Sequence, residues 1–425
     1  MKENELYFDG CSTIELVKQY GTPLFVYSEN AILKECNEIR NSFLDKYENV
    51  RAAYASKAFS SIAMCKFMER EGFCIDVVSG GELYTAIKAG FPHEKIEFNG
   101  NNKLRDELEL AIDYNIGRII IDGLNELSLI ESICKEKNRV MNVLYRITPG
   151  VENHTHNYIT TGKKDSKFGI PLDDEVIYPA IKAAIDSPYV NFLGLHFHVG
   201  SQLFDNRSHL LALEVMLILA KNTKEKYHYD MTELNIGGGF GVSYTNEVRK
   251  SYDYFLQPMM ERIEEFYNQL DVVRPSIVIE PGRSIIAEAG ISLYTVGSIK
   301  DIKGVRKYIS IDGGMTDNIR PALYDAKYRG VIANRMNEKT DEIVSICGKC
   351  CESGDIIITN ASFAKAQTGD ILAIFSTGAY GYSMSSNYNK NPIPAVVLIN
   401  NGKSSEIIRR QSYDDIIARE SYTPL

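Results

Sequence analysis

Lys57 is the residue from which a chemical reading of this chain starts. It stands in Tyr54-Ala-Ser-Lys57-Ala58, between an apolar, strand-like run at 51–55 and a helical pattern at 62–71. An amine in so apolar a setting has reason to lose its proton and act as a Schiff-base nucleophile. Position alone fits a surface lysine as well. The run Gly237-Gly238-Gly239-Phe240-Gly241 and the run Glu280-Pro281-Gly282-Arg283 suit an anion cradle. Glycine lets backbone N–H groups come close to a phosphate, and arginine adds charge. Plain tight turns are the other reading of the glycines. The run is not a dinucleotide fingerprint, because Val242 stands where the third glycine would be, and Gly402-Lys403-Ser404 is no P-loop, because position 397 is Val. His196 and His198 alternate along a strand pattern and so share one side. Packing or ring stacking suits them better than a metal, since no third ligand stands out. Cys347-x-x-Cys350 lacks the second pair of a zinc site. No metal is expected.

Short apolar segments recur at 51–55, 73–78, 96–99, 118–122, 141–147, 191–198, 233–237 and 276–280. Helical patterns separate them, as at 104–114, 125–137 and 210–227. Eight such units in about 250 residues predict a (β/α)8 barrel, with a doubly wound sheet as the alternative. In a barrel, chemistry sits past the C-terminal ends of the strands, and the loops after strands seven and eight often take a phosphate. Lys57, Ser79-Gly-Gly81, Asn99-Gly100, His198-Val-Gly-Ser201 and both glycine runs fall at those ends. Beyond 287 the segments 308–312, 342–347, 355–359, 371–376 and 395–399 are short and β-rich, which predicts an all-β second domain. The opening stretch 5–26 is expected to join it. The division is then a barrel at 28–287 and a β domain from 1–27 and 288–425.

Composition narrows the partners. The 425 residues are 44% hydrophobic, enough for large cores, and the net charge of -9 disfavours nucleic acid and anionic membranes. The N-terminal residues lack the apolar core of a signal peptide, and no apolar run reaches the roughly 18 residues of a membrane span. Eight scattered cysteines read as reduced thiols, and the expected location is the cytoplasm.

Taken in order, these motifs resemble the diaminopimelate decarboxylase family, within the alanine-racemase-like class of pyridoxal enzymes. The resemblance runs from about Phe25 to Tyr388. Its carriers are Tyr54-Ala-Ser-Lys57-Ala, Asp76-Val-Val-Ser-Gly-Gly-Glu82, Ser166-Lys-Phe-Gly169, His196-Phe-His198-Val-Gly-Ser-Gln202, Gly238-Gly-Phe-Gly241 and Glu280-Pro-Gly-Arg283. Asp312-Gly-Gly, Arg320-Pro-Ala-Leu-Tyr324, Cys351-Glu-Ser-Gly-Asp355, Gly378-Ala-Tyr380 and Ser386-Asn-Tyr-Asn389 follow. The resemblance implies pyridoxal 5'-phosphate as cofactor and Lys57 as its internal aldimine. It implies His198 stacked on the pyridine ring and Glu280 at the ring nitrogen. Ser201, Gly238, Gly239, Gly241, Gly282, Arg283 and Tyr380 are the further implied cofactor contacts. Arg283, Arg320, Tyr324, Tyr380 and Glu352 are implied for the substrate, with Cys351 as proton donor. Cys351 and Glu352 would be donated across a homodimer. The implied reaction takes meso-2,6-diaminopimelate to L-lysine and CO2 through a quinonoid, the last step of lysine biosynthesis. Two arginines suit a substrate with a second carboxylate. The chain departs from the family's Gly-Pro-x-Cys with Gly348-Lys-Cys350-Cys351, which sets a second thiol beside the implied donor, and carries Phe59 where many relatives have Asn. Sister decarboxylases, a racemase and a non-catalytic cofactor carrier are the competing readings. Glu280 in place of a ring-facing arginine argues against a racemase, and retention of Lys57 and Cys351 against a carrier.

Overall fold

The structure, a computed structural model, describes residues 4–151 and 166–421. Residues 1–3, 152–165 and 422–425, which the sequence assigns to the two domains, lie outside the described residues. The chain divides into two compact units, one of Cys36–Gly241 with Val248–Ser284, the other of Met1–Glu35, Val242–Glu247 and Ile285–Leu425.

The first unit is a closed barrel of parallel strands: Val50–Ala55, Cys74–Val77, Ile96–Phe98, Arg118–Ile121, Met141–Thr148, Val190–His196, Glu233–Asn235 and Ser276–Ile279. Each pairs with the next, the eighth pairs back to the first, and no edge is left. Closure rules out the doubly wound alternative. Most of these strands are buried along their whole length, as strands covered by helices on one face and a packed lumen on the other must be. Helix starts follow the local chemistry. The Ser61 side chain accepts the Met64 N–H, Ser79 accepts that of Glu82, and Gly90 stops its helix in the left-handed conformation. Apolar residues Ile32, Cys36, Ile39 and Phe43 fall at helical spacing, and the chain there is α-helical over Glu29–Ile39 and then widens over Arg40–Leu44. Strand six ends at His196, so His198 stands in the loop beyond it and the two histidines do not lie on one ladder.

The second unit is β-rich. Its sheet is built on Gly290–Ile302, a strand of 13 residues missing from the expected set. The first part of that strand pairs with Leu24–Ser28 and Ile371–Phe375, and after a register shift between Val296 and Ile299 its end pairs with Arg306–Ile311. Leu24–Ser28 also pairs with Ala395–Asn400, so the opening stretch does build this sheet. Its core gathers Leu16, Leu24, Val26, Leu293, Val397 and Ile399.

Candidate active site

Lys57 lies in a single 3-10 turn, Ser56–Ala58, directly after the first barrel strand. The chain around it is apolar, but its electrostatic neighbours are not: its charge acts on Asp76, Glu82 and Glu280. The apolar setting read from the sequence is therefore corrected, because strand closure brings carboxylates from strands two and eight beside strand one.

Glu280 is the centre of this cluster. It follows strand eight and is buried. One oxygen accepts from Asn99 at 3.0 Å and from Asn235 at 2.9 Å, and His196 Nε2 lies 3.0 and 3.1 Å from the two oxygens. Burial opposes its charge, but His196 and then Lys57 outweigh burial and hold the carboxyl well below the usual range. Asp76 and Glu97 lie beside it, the three offering oxygens within 4.8 Å of one another. Burial first, and the Glu280 charge second, push both of these well above the carboxylate range. The cluster thus concentrates its negative charge on Glu280.

His198 is held neutral by two effects. Burial, followed by the charges of Lys57 and Arg146, lowers its pKa well below the ordinary value. Geometry agrees: the Gly238 N–H donates to Nδ1 at 3.3 Å, which requires a lone pair there.

The glycine run is shaped by its neighbours. A Cβ on Gly238 would stand 2.1 Å from the Glu280 carbonyl oxygen, and Gly239, at φ +103, would place one 2.3 Å from that of Gly200. The loops after strands six and seven are zipped by Leu203 N to Gly239 O at 3.0 Å and Gly241 N to Leu203 O at 2.9 Å. Among the described residues, the N–H groups of Gly239 and Phe240 have no acceptor in the protein. Arg283 Nε donates to Ser201 Oγ at 3.0 Å, and Gly282 is buried beside Ala55, where a Cβ would come within 2.8 Å. Lys57, His198, Ser201, Gly238, Gly239, Gly241, Glu280, Gly282 and Arg283 thus all belong to the barrel unit and to the ends of its strands.

The other candidates belong to the second unit. Arg320 and Tyr324 open and close one short helix, Arg320–Tyr324, with Arg320 buried. Tyr380 has φ +60, a conformation unusual for a bulky residue and a mark of local strain. Cys351 and Glu352 are exposed. Asp355 shapes their loop, accepting the N–H of Met315 at 2.7 Å and of Cys350 at 2.9 Å. Cys350 is partly buried, and burial, then Asp355, raise its thiol to about 11. Cys351, one residue on, has its N–H bonded to Asn389 Oδ1 at 2.8 Å. His196, Asn99 and Asn235 as partners of Glu280 escaped sequence reasoning. The available signal was a polar residue inside or ending an otherwise apolar strand.

Residues 30–287 match the family described as pyridoxal-dependent decarboxylase, pyridoxal binding domain. The diaminopimelate decarboxylase of Bacillus subtilis (strain 168) is 46% identical over 417 residues, 98% of this chain and 95% of that protein. That of Bacillus methanolicus is 48% identical over 411 residues, 96% and 95% of the two. The chain belongs to the diaminopimelate decarboxylase family. The crystal structure of the M. jannaschii diaminopimelate decarboxylase in complex with L-lysine agrees, with a TM-score of 0.93 at 36% identity over 100% of this chain and 98% of that one. A lysine/ornithine decarboxylase from Vibrio vulnificus has a TM-score of 0.77 at 23% identity over 91% of this chain and 97% of that one, a likeness of fold alone.

The family's cofactor is pyridoxal phosphate, and the barrel site fits it. A primary amine, a carboxylate held ionised, a neutral imidazole, two unpaired backbone N–H groups and a buried arginine match the aldehyde, ring nitrogen, ring face and phosphate of that molecule in chemistry and number.

Proposed function

We propose that this chain removes CO2 from the D centre of meso-2,6-diaminopimelate and releases L-lysine, the last step of lysine biosynthesis, as a cytoplasmic homodimer. When bound, the cofactor supplies an electron sink for the bond that breaks. The residues do the rest. Lys57 would hold the cofactor covalently. Glu280 would keep a proton on the ring nitrogen, and its three donors exist to keep the carboxylate charged for that task. His198, neutral, would lie against the ring. Gly238, Gly239, Gly241, Ser201, Gly282, Arg283 and Tyr380 would hold the cofactor, the glycine run taking its phosphate. Arg283, Arg320 and Tyr324 would take the substrate's distal carboxylate, with Tyr380 alongside, and Glu352 would suit its distal ammonium. Cys351 Sγ would hand a proton to the α-carbon that has lost CO2. Cys351 is exposed on the single chain while the neighbouring Cys350 is partly buried, which supports Cys351 as the thiol offered to a second subunit.

One observation carries the choice of substrate. Arg320 is a buried cation that, among the described residues, has no carboxylate partner. Such a charge asks for an anionic ligand, and diaminopimelate has a distal carboxylate where ornithine and lysine have none. Purified protein with pyridoxal phosphate should convert meso-diaminopimelate to CO2 and L-lysine and leave ornithine and lysine unconverted. Comparable release of CO2 from ornithine would overturn this substrate assignment.

A further inference from the structure

The surroundings of Arg320 hold more than an unpaired charge. Its Nη1 donates to the Tyr328 hydroxyl. Its guanidinium carbon lies 4.9 Å from the centroid of the Tyr244 ring and 5.7 Å from that of Tyr328. The two rings meet edge to face, centroids 5.4 Å apart at 84°. Burial opposes the charge, and the two tyrosines favour it strongly enough to raise the pKa. Tyr244 is itself fixed. Glu247 accepts the N–H groups of Tyr244 at 2.9 Å and of Thr245 at 2.7 Å, and the Ser376 hydroxyl donates to the Ser243 carbonyl at 3.0 Å. Tyr244 follows the glycine run by three residues, so one stretch of backbone carries both.

We propose that Tyr244 and Tyr328 are positioning residues that set substrate specificity: they form a two-ring seat that fixes the Arg320 guanidinium for the distal carboxylate. This rests on the reading of Arg320 as the ligand of that carboxylate. With one N–H on the Tyr328 hydroxyl and a further side-chain hydrogen bond to Tyr244, the guanidinium still keeps N–H donors for the oxygens of a carboxylate. Ring faces attract the cation without neutralising it, unlike an aspartate or glutamate in the same place. The seat therefore keeps the arginine ordered and still in need of an anion, and binding does not have to order a long side chain.

The test uses the holoenzyme and two competitive inhibitors: L-lysine, which keeps the distal carboxylate, and cadaverine, which lacks it. Tyr244→Leu should weaken inhibition by L-lysine about tenfold and raise the KM for diaminopimelate equally. Inhibition by cadaverine and the cofactor absorbance should stay as in wild type. Tyr244→Phe, which keeps the ring and loses the hydroxyl, should restore part of the L-lysine binding that Tyr244→Leu loses. Tyr328→Phe, which removes one oxygen, should weaken it about threefold to tenfold, and carries the test by itself if Tyr244→Leu does not accumulate. In an Arg320→Ala background, Tyr244→Leu should add nothing. Equal weakening of both inhibitors would reduce the tyrosines to scaffold and overturn the proposal. So would unchanged L-lysine inhibition in Tyr244→Leu while Arg320→Ala loses it, leaving the substrate reading intact. Unchanged L-lysine inhibition in Arg320→Ala itself would sink the reading of Arg320 and the seat with it.

Discussion

Three carboxylates that bring oxygens within 4.8 Å of one another cannot all ionise, and which one does decides what the site can do. Glu280 wins because Asn99, Asn235 and His196 all reach it, whereas the side-chain donor that reaches Asp76 is Asn99, at 2.8 Å. An amide at position 280 keeps shape and loses charge. Glu280→Gln should therefore bind cofactor through Lys57 as before and lower kcat by on the order of 10²-fold, read by single-turnover decarboxylation beside the absorbance spectrum. Wild-type turnover in that variant would remove the proton-holding role. Asp76 gives the complementary experiment. Its folded pKa is raised by burial and by the Glu280 charge. Folding therefore tightens its hold on a proton, and unfolding releases that proton when the pH exceeds about 4, the ordinary aspartate value. The stabilising contribution is whole below that pH and is lost as the pH rises through the folded value. Asp76→Asn has no proton to lose, so its melting temperature relative to wild type should climb with pH above that point. Parallel melting curves from acid to neutral pH would show that Asp76 is ionised in the native protein.

Between strands and helices, the loops decide whether the residues meet. Gly239 and Gly72 are both left-handed, at φ +103 and +82, but a Cβ at Gly72 meets nothing within 4 Å whereas one at Gly239 runs into the Gly200 carbonyl. Gly72→Ala should cost only the conformational strain, about 1–2 kcal/mol. Gly239→Ala should cost more in thermal unfolding and, unlike Gly72→Ala, should weaken cofactor binding in a titration. Equal effects from the two would deny the glycine run its anion-holding role. These loops also mark how far sequence patterns reach. The barrel strands were legible because parallel strands buried on both faces read as continuous apolar runs. The Gly290–Ile302 strand was not, because it changes partners after a register shift and its apolar pattern gives way to exposed residues. Spacing of two suggested that His196 and His198 share a ladder, but a period cannot say where pairing stops. Motif order pointed to Lys57, His198 and Glu280, which the fold sets past the ends of barrel strands. The donors on Glu280 depend on closure of the barrel, and the rings around Arg320 on the grouping of Val242–Glu247 with the second unit, which no local pattern encodes.

At the scale of the whole molecule, function turns on the number of chains that build one site. The proposed function draws Lys57 from one subunit and Cys351 with Glu352 from another. In a two-fold dimer each site is then assembled from the same two patches, one per subunit. Lys57→Ala and Cys351→Ala homodimers should each be nearly inactive, since losing a positioned proton donor costs about 10²–10⁴-fold and losing the lysine removes the covalent hold on the cofactor. Mixing the two variants under conditions of subunit exchange gives a different outcome. A mixed dimer has one site carrying both lesions and one carrying neither, because the intact Lys57 and the intact Cys351 come from opposite chains. With random one-to-one exchange half the dimers are mixed and half of their sites are whole, so activity should return to about one quarter of wild type. Differently tagged subunits confirm the exchange. Failure to recover despite exchange would place Lys57 and Cys351 in the same chain's site, whereas active Cys351→Ala homodimers would make Cys350 the donor. Cys350→Ala homodimers should stay active on their own, because the exposed Cys351, not the partly buried Cys350, is the thiol offered to a second subunit.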